Sequence, residues 1–120
     1  MKLSEKQREF TFMVAKLINW VEKSKHSFIT FGEVYRPKEM QEIYLKEGKT
    51  KVKHSKHQDR LAVDFNLFIN GKYTPKPEDY RPLGEYWETL GGRWGGRFGV
   101  PKKDWDKKNG WDSNHFEYKD

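Results

Sequence analysis

Apolar side chains recur at Phe10, Val14, Leu17, Ile18 and Val21 with polar residues between them, the spacing of one buried helix face. Ser4 followed three residues later by Gln7 is a capping-box pattern, so the chain predicts an amphipathic helix over residues 4–24. Residues 26–35 are β-branched and aromatic and predict a strand. Arg36-Pro37 ends it, because Pro suits the first turn of a following helix, which runs to about Lys46 and is stopped by Gly48. From Glu47 to Arg60 apolar residues thin out and basic ones dominate, which predicts a loop. Alternation with period two then runs from Leu61 to Ile69 and meets Asn70-Gly71, the dipeptide preferred in two-residue hairpin turns. Residues 74–82 are Pro-rich and read as a connection, and residues 83–90 as a short helix closed by Gly91 or Gly92. A glycine-rich aromatic loop, 91–98, precedes a terminal strand at His115–Tyr118. No internal repeat or linker interrupts the pattern, and helices separate from antiparallel strands place the chain in the α+β class.

Composition narrows this. At 120 residues the chain is sized for a single domain with one modest core. Hydrophobic residues make up 34% and aromatics 16%, so Trp, Tyr and Phe must supply much of the buried area. Twenty-four Lys and Arg against eighteen Asp and Glu give a net charge of +6, which favours an anionic partner such as nucleic acid, a membrane surface or a cell-wall polymer. There is no cysteine, which excludes disulfides, thiolate metal knuckles and a Cys nucleophile; any metal must sit on His and carboxylates. Neither a secretory apolar run nor a bilayer-length segment is present. The expectation is a protein made in the cytosol without stable membrane association, which needs a second agent to reach a substrate outside the inner membrane.

The candidate chemistry lies in the strand 61–69 and at the C-terminus. Period two puts Leu61, Val63, Phe65, Leu67 and Ile69 on one face and Ala62, Asp64 and Asn66 on the other. A carboxylate in the middle of an otherwise apolar strand is costly to bury unless something positive meets it. His57, on the loop entering the strand, is near enough for both side chains to reach one ion at about 2 Å; the spacing permits this without requiring it. In the last strand His115 and Glu117 leave the apolar side that Phe116 and Tyr118 define. Three protein ligands with one open position is the pattern of a catalytic zinc site. Asp112 is then either the general base for the zinc-bound water or a turn residue after Gly110. His54 lacks a partner at strand spacing and is read as exposed on the basic loop, and His26 is read as structural.

Ser55-Lys56-His57 followed by Ala62-Val63-Asp64-Phe65 resembles the Ser-x-His-x₆-Asp motif of the zinc D-Ala-D-Ala carboxypeptidase and L-alanyl-D-glutamate endopeptidase family (VanY-like). Asp112-Ser113-Asn114-His115 resembles its closing Asp/Glu-x-x-His motif. Arg36, Gln41 and Tyr44 fit the arginine-led helix before the first motif, and Trp94-Gly95-Gly96 fits the Trp-Gly-Gly before the second. The resemblance covers residues 36–117. It implies that His57, Asp64 and His115 bind Zn2+, that Asp112 is the catalytic base, and that Arg36 contacts the substrate or stabilises the oxyanion. Ser55 joins Arg36 beside the substrate or orients the loop, and Glu117 is placed to hydrogen-bond a ligating imidazole. The implied fold is an antiparallel sheet with flanking helices, of D-Ala-D-Ala peptidase (hedgehog-like) type. Arg60 departs from the family, which commonly has glycine there.

Asp rather than Glu at position 112, with the small size and lack of a signal, resembles the phage endolysin branch. The expected activity is zinc-dependent hydrolysis of the peptidoglycan stem peptide, at the L-alanyl-D-glutamate bond or as a D-alanyl-D-alanine carboxypeptidase. The expected protein is a monomer that needs a holin-type partner to reach the wall. Two rivals stand beside it. One is a nucleic-acid-binding or nuclease module, which the charge favours but the scatter of basic residues does not. The other is a non-catalytic wall-binding domain.

Overall fold

The computed structural model describes residues 1–120. Helix α1 spans Leu3–Glu22 and buries Phe10, Leu17 and Val21, the predicted face. It starts at an extended Lys2 with no side-chain cap, so the Ser4–Gln7 box is not formed. Ser4 lies in the first turn, and the Gln7 amide donates instead to the Asp59 carbonyl at 2.7 Å, docking the helix on the turn that carries His57. Strand β1 covers only Ser27–Phe31, shorter than the predicted 26–35. The amide of Gly32 donates to the Asp64 carbonyl at 2.7 Å, and the Asp64 amide to the Glu33 carbonyl at 2.9 Å. Two residues thus oppose one, a bulge that ends the regular ladder.

Helix α2 spans Lys38–Lys46 behind Pro37, as the Arg36-Pro37 signal predicts. The predicted loop that follows contains one ordered 3₁₀ turn, Lys56–Asp59. Strand β2, Ala62–Ile69, turns through Asn70 and Gly71, both at positive φ (51° and 81°), into β3 at Lys72–Thr74. Positive φ at both central residues is the type I′ geometry that Asn-Gly favours. Helix α3 runs Pro77–Thr89, so the Pro-rich connection ends earlier than predicted. Pro77 occupies the first helical position, where its missing N–H costs nothing. Pro82 sits within the helix, in its second turn, where it forgoes one i→i−4 hydrogen bond. Strands β4, Arg93–Trp94, and β5, His115–Glu117, complete the chain.

All pairings are antiparallel. One edge of β2 pairs with β1; its other edge pairs with β3 through Leu67–Ile69 and with β5 through Ala62–Asp64, and β4 extends beyond β5. The α+β class with an antiparallel sheet and flanking helices is therefore the observed architecture. The core lies between the sheet and helices α1 and α3, and aromatics dominate its centre. Trp87 meets Phe10 and Phe116 edge-on at 5.8 and 6.0 Å. No helix is long and apolar enough to cross a membrane.

Candidate metal centre

The β2–β5 register places Asp64 directly opposite His115, so two polar side chains 51 residues apart project from neighbouring strands on the same face. His57 arrives from the 3₁₀ turn at the start of β2. Its position is fixed by a capping box in which the Ser55 hydroxyl accepts from the His57 amide at 3.2 Å and Gln58 Oε1 accepts from the Ser55 amide at 2.8 Å. Ser55 is buried and acts through this turn. The turn closes on Arg60 at φ 55°, the left-handed region in which glycine is most at ease. The Arg60 guanidinium lies 4.0 Å from the centre of the Tyr35 ring, a cation–π contact that offsets part of the cost.

His57, Asp64 and His115 offer one ligand atom each, all within 4.8 Å of one another. His57 Nδ1 lies 3.0 Å from the Val34 carbonyl, which can only accept, so Nδ1 carries the proton and Nε2 presents its lone pair to Asp64 Oδ1 at 3.3 Å. His115 Nε2 lies 2.8 Å from Glu117 Oε1, which fixes the opposite tautomer and turns Nδ1 toward Asp64 Oδ1 at 3.2 Å. Acceptors do not face one another at such distances unless a proton or a metal ion stands between them. Outward hydrogen bonds that set each tautomer are the usual support of metal-binding imidazoles. The residues fit a metal ion on these grounds, and two imidazoles with one carboxylate are a zinc donor set.

The electrostatics agree. With a proton in place of an ion between these atoms, burial pushes the Asp64 carboxyl up, but hydrogen bonds with His115 and His57 outweigh it and hold the pKa at about 2. Burial pushes His115 down, yet its bonds to Asp64 and Glu117 raise it to about 9. A field that holds a proton on a buried imidazole to that pH is one that also attracts a cation. Asp112 lies 3.7 Å from His115 Nδ1 and is partly exposed. Burial, aided by the Asp64 charge, raises its pKa against the pull of His115, His57 and Arg36.

Arg36 stands on the other side. Its Nε donates to Glu33 Oε1 at 2.8 Å and Nη2 makes a short bond to the same oxygen, while Nη1 donates to Gln41 at 2.8 Å. Three of its five N–H groups are so used. Gln41 is fully buried and its amide donates to the Val52 carbonyl at 2.6 Å, tying Arg36 to the basic loop. Glu33 is a site residue that sequence reasoning missed. The bulge opposite Asp64 brings its carboxylate 3.9 Å from His57 Nε2, and no sequence signal marks that bulge.

The Trp-Gly-Gly segment proves to be the mount of the Asp112–His115 loop. Trp94 Nε1 donates to the Ser113 carbonyl at 2.6 Å, and a Cβ on Gly95 would lie 2.0 Å from the Asp112 carbonyl oxygen. Phe98, just beyond, covers the His115 ring at 5.5 Å.

Residues 48–118 match the model of a peptidase family described as D-alanyl-D-alanine carboxypeptidase. The chain belongs to that family. It is a zinc metallopeptidase by membership and by its His-Asp-His donor set. No curated protein sequence matches it significantly. The fold is similar to that of the Serratia marcescens L-Ala D-Glu endopeptidase ChiX, with a TM-score of 0.70 at 17% identity over 97% of this chain and 85% of that one. It is also similar to a variant of the vancomycin-resistance D,D-pentapeptidase VanY, solved in complex with Zn(II), with a TM-score of 0.57 at 21% identity over 91% of this chain and 70% of that one.

Proposed function

We propose that this metallopeptidase hydrolyses the stem peptide of bacterial peptidoglycan at the L-alanyl-D-glutamate bond, with His57, Asp64 and His115 as zinc ligands and Asp112 as general base. The observation that carries the reading is the Asp112 carboxylate, partly open to solvent and 3.7 Å from a ligand nitrogen of the three-donor cluster. Bound zinc supplies a Lewis acid and a water whose pKa falls to roughly 7. Asp112 accepts the proton of the attacking water and delivers it to the leaving amine nitrogen. The two guanidinium N–H groups of Arg36 left free by Glu33 and Gln41 grip a substrate carboxylate or the oxyanion of the tetrahedral adduct. The fold's similarity to ChiX over most of both chains supports the endopeptidase bond, while the description of the matching family favours a D,D-carboxypeptidase.

The reading extends to a phage endolysin, supported by Asp at position 112, acting as a single-domain monomer in concert with a holin-type partner. The test is digestion of purified peptidoglycan with and without chelator, with new termini identified by mass spectrometry. Chelator-sensitive release of N-terminal D-glutamate is expected. Release of D-alanine alone would establish the carboxypeptidase, and chelator-insensitive release would sink the zinc mechanism.

A further inference from the structure

The chain has five tryptophans, and four are spent on structure. Trp20 stacks on Tyr86 at 4.8 Å. Trp87, Trp94 and Trp105 donate their indole N–H groups to the carbonyls of Glu117, Ser113 and Val100. Trp111 does neither. It is 72% exposed, the most exposed large hydrophobic residue in the protein, and it directly precedes Asp112. Nor is the ring loosely held. It rests on Gly99, where a Cβ would lie 2.1 Å from it, and it packs against Phe98 at 6.2 Å, which packs in turn on His115 at 5.5 Å. An aromatic wall therefore runs from a metal ligand out to solvent. Lys51, on the basic loop, approaches the outer ring at 5.9 Å, an exposed contact worth little and readily displaced.

We propose that Trp111 binds a saccharide: it stacks on the pyranose of the glycan strand that carries the scissile peptide. This rests on the endopeptidase reading. In peptidoglycan the L-alanine is joined to the sugar's lactyl group, so one residue, about 3.5 Å of extended chain, separates that group from the bond cleaved. Trp111 stands one Cα step, about 3.8 Å, from the base. The D-alanyl-D-alanine bond lies several residues further along and would leave the sugar out of reach. Stem-peptide residues next to the bond are small or charged and offer no broad apolar face. A pyranose offers both a C–H face for the ring and hydroxyls for the unpartnered indole N–H.

The experiment compares wild type, Trp111→Ala and Trp111→Phe on two soluble substrates with the same peptide, one bearing the muramyl sugar and one without it, with zinc content measured for each protein. Trp111→Ala should raise KM for the sugar-bearing substrate about five- to tenfold, the scale of one aromatic stacking contact. It should leave kcat, zinc content and the KM for the free peptide within about twofold, and Trp111→Phe should recover most of the loss. Equal losses on both substrates, or none on the sugar-bearing one, would overturn the proposal. Cleavage of the free peptide by wild type at a bond other than L-alanyl-D-glutamate would instead overturn the endopeptidase reading, and this proposal with it, whatever the variants do.

Discussion

Two carboxylates near His115 make different demands on the chemistry, and substitution separates them. Asp112 contacts no donor closely enough to hold it in place, so Asp112→Asn should bind zinc as wild type does and lose about 10²–10⁴-fold in kcat, the scale of general-base catalysis. Glu117 fixes the tautomer of a ligand through a 2.8 Å bond, so Glu117→Gln should weaken zinc binding about 10–100-fold and lower activity only as far as zinc is lost. Competition with a chromogenic chelator, beside turnover at saturating zinc, tells the two apart; an Asp112→Asn protein with near-normal turnover would remove Asp112 from its role. The convergence of His57, Asp64 and His115 was legible in part: strand facing and spacing permitted it, and only the ordered motifs of the resemblance made it an expectation. Glu33 was not, since its approach to His57 depends on a backbone bulge. Ser55 lies between these cases. The same Ser-x-x-Gln spacing occurs at Ser4 and at Ser55, and the structure forms the box only at Ser55, where the turn ends in an αL residue instead of continuing as a helix.

At the scale of elements, the alternation of β2 and the Asn70-Gly71 turn carried over directly, because both are set by residues close in sequence. The start of α3 did not, since three prolines between residues 74 and 82 read as breakers, whereas Pro77 opens the helix at its first position. Nor could the pairing of β2 with β5 be read, since nothing local encodes a partner about fifty residues away. β5 pairs with β2 and β4, and the close seat of the Asp112–His115 loop on Gly95 positions its start, which is testable. A methyl at Gly95 would drive into a backbone carbonyl 2.0 Å away, which cannot swing aside as a side-chain tip would. Gly95→Ala should therefore cost about 1–3 kcal/mol of stability as overpacking does and weaken zinc binding by displacing His115. Gly48→Ala, at φ 74° with nothing within 4 Å, carries only the conformational penalty of roughly 1 kcal/mol. Urea unfolding of the two variants, with zinc titrations, makes the comparison. A Gly95→Ala protein with wild-type zinc affinity would show that the loop is held elsewhere.

For the whole molecule, the donors come from the turn before β2, from β2 itself and from β5, so an ion there closes the sheet's central pair onto the segment that docks α1 through Gln7. The same cluster gathers Glu33, Asp64, Asp112 and Glu117 around Arg36, Arg93 and the two imidazoles, a set of carboxylates that favours a bound cation. Zinc that binds only the folded chain should therefore add about 4 kcal/mol at a free concentration a thousand times its Kd. For a domain of this length that corresponds to a rise in Tm on the order of 10–20 °C. His57→Ala removes a donor while leaving Asp64 and His115 paired across the strands, so it should lose most of this rise while keeping a cooperative transition. Scanning calorimetry of stripped wild type and variant against buffered zinc decides the matter. A wild-type Tm that ignores zinc would mean that the His-Asp-His cluster is satisfied by its proton and binds no zinc there.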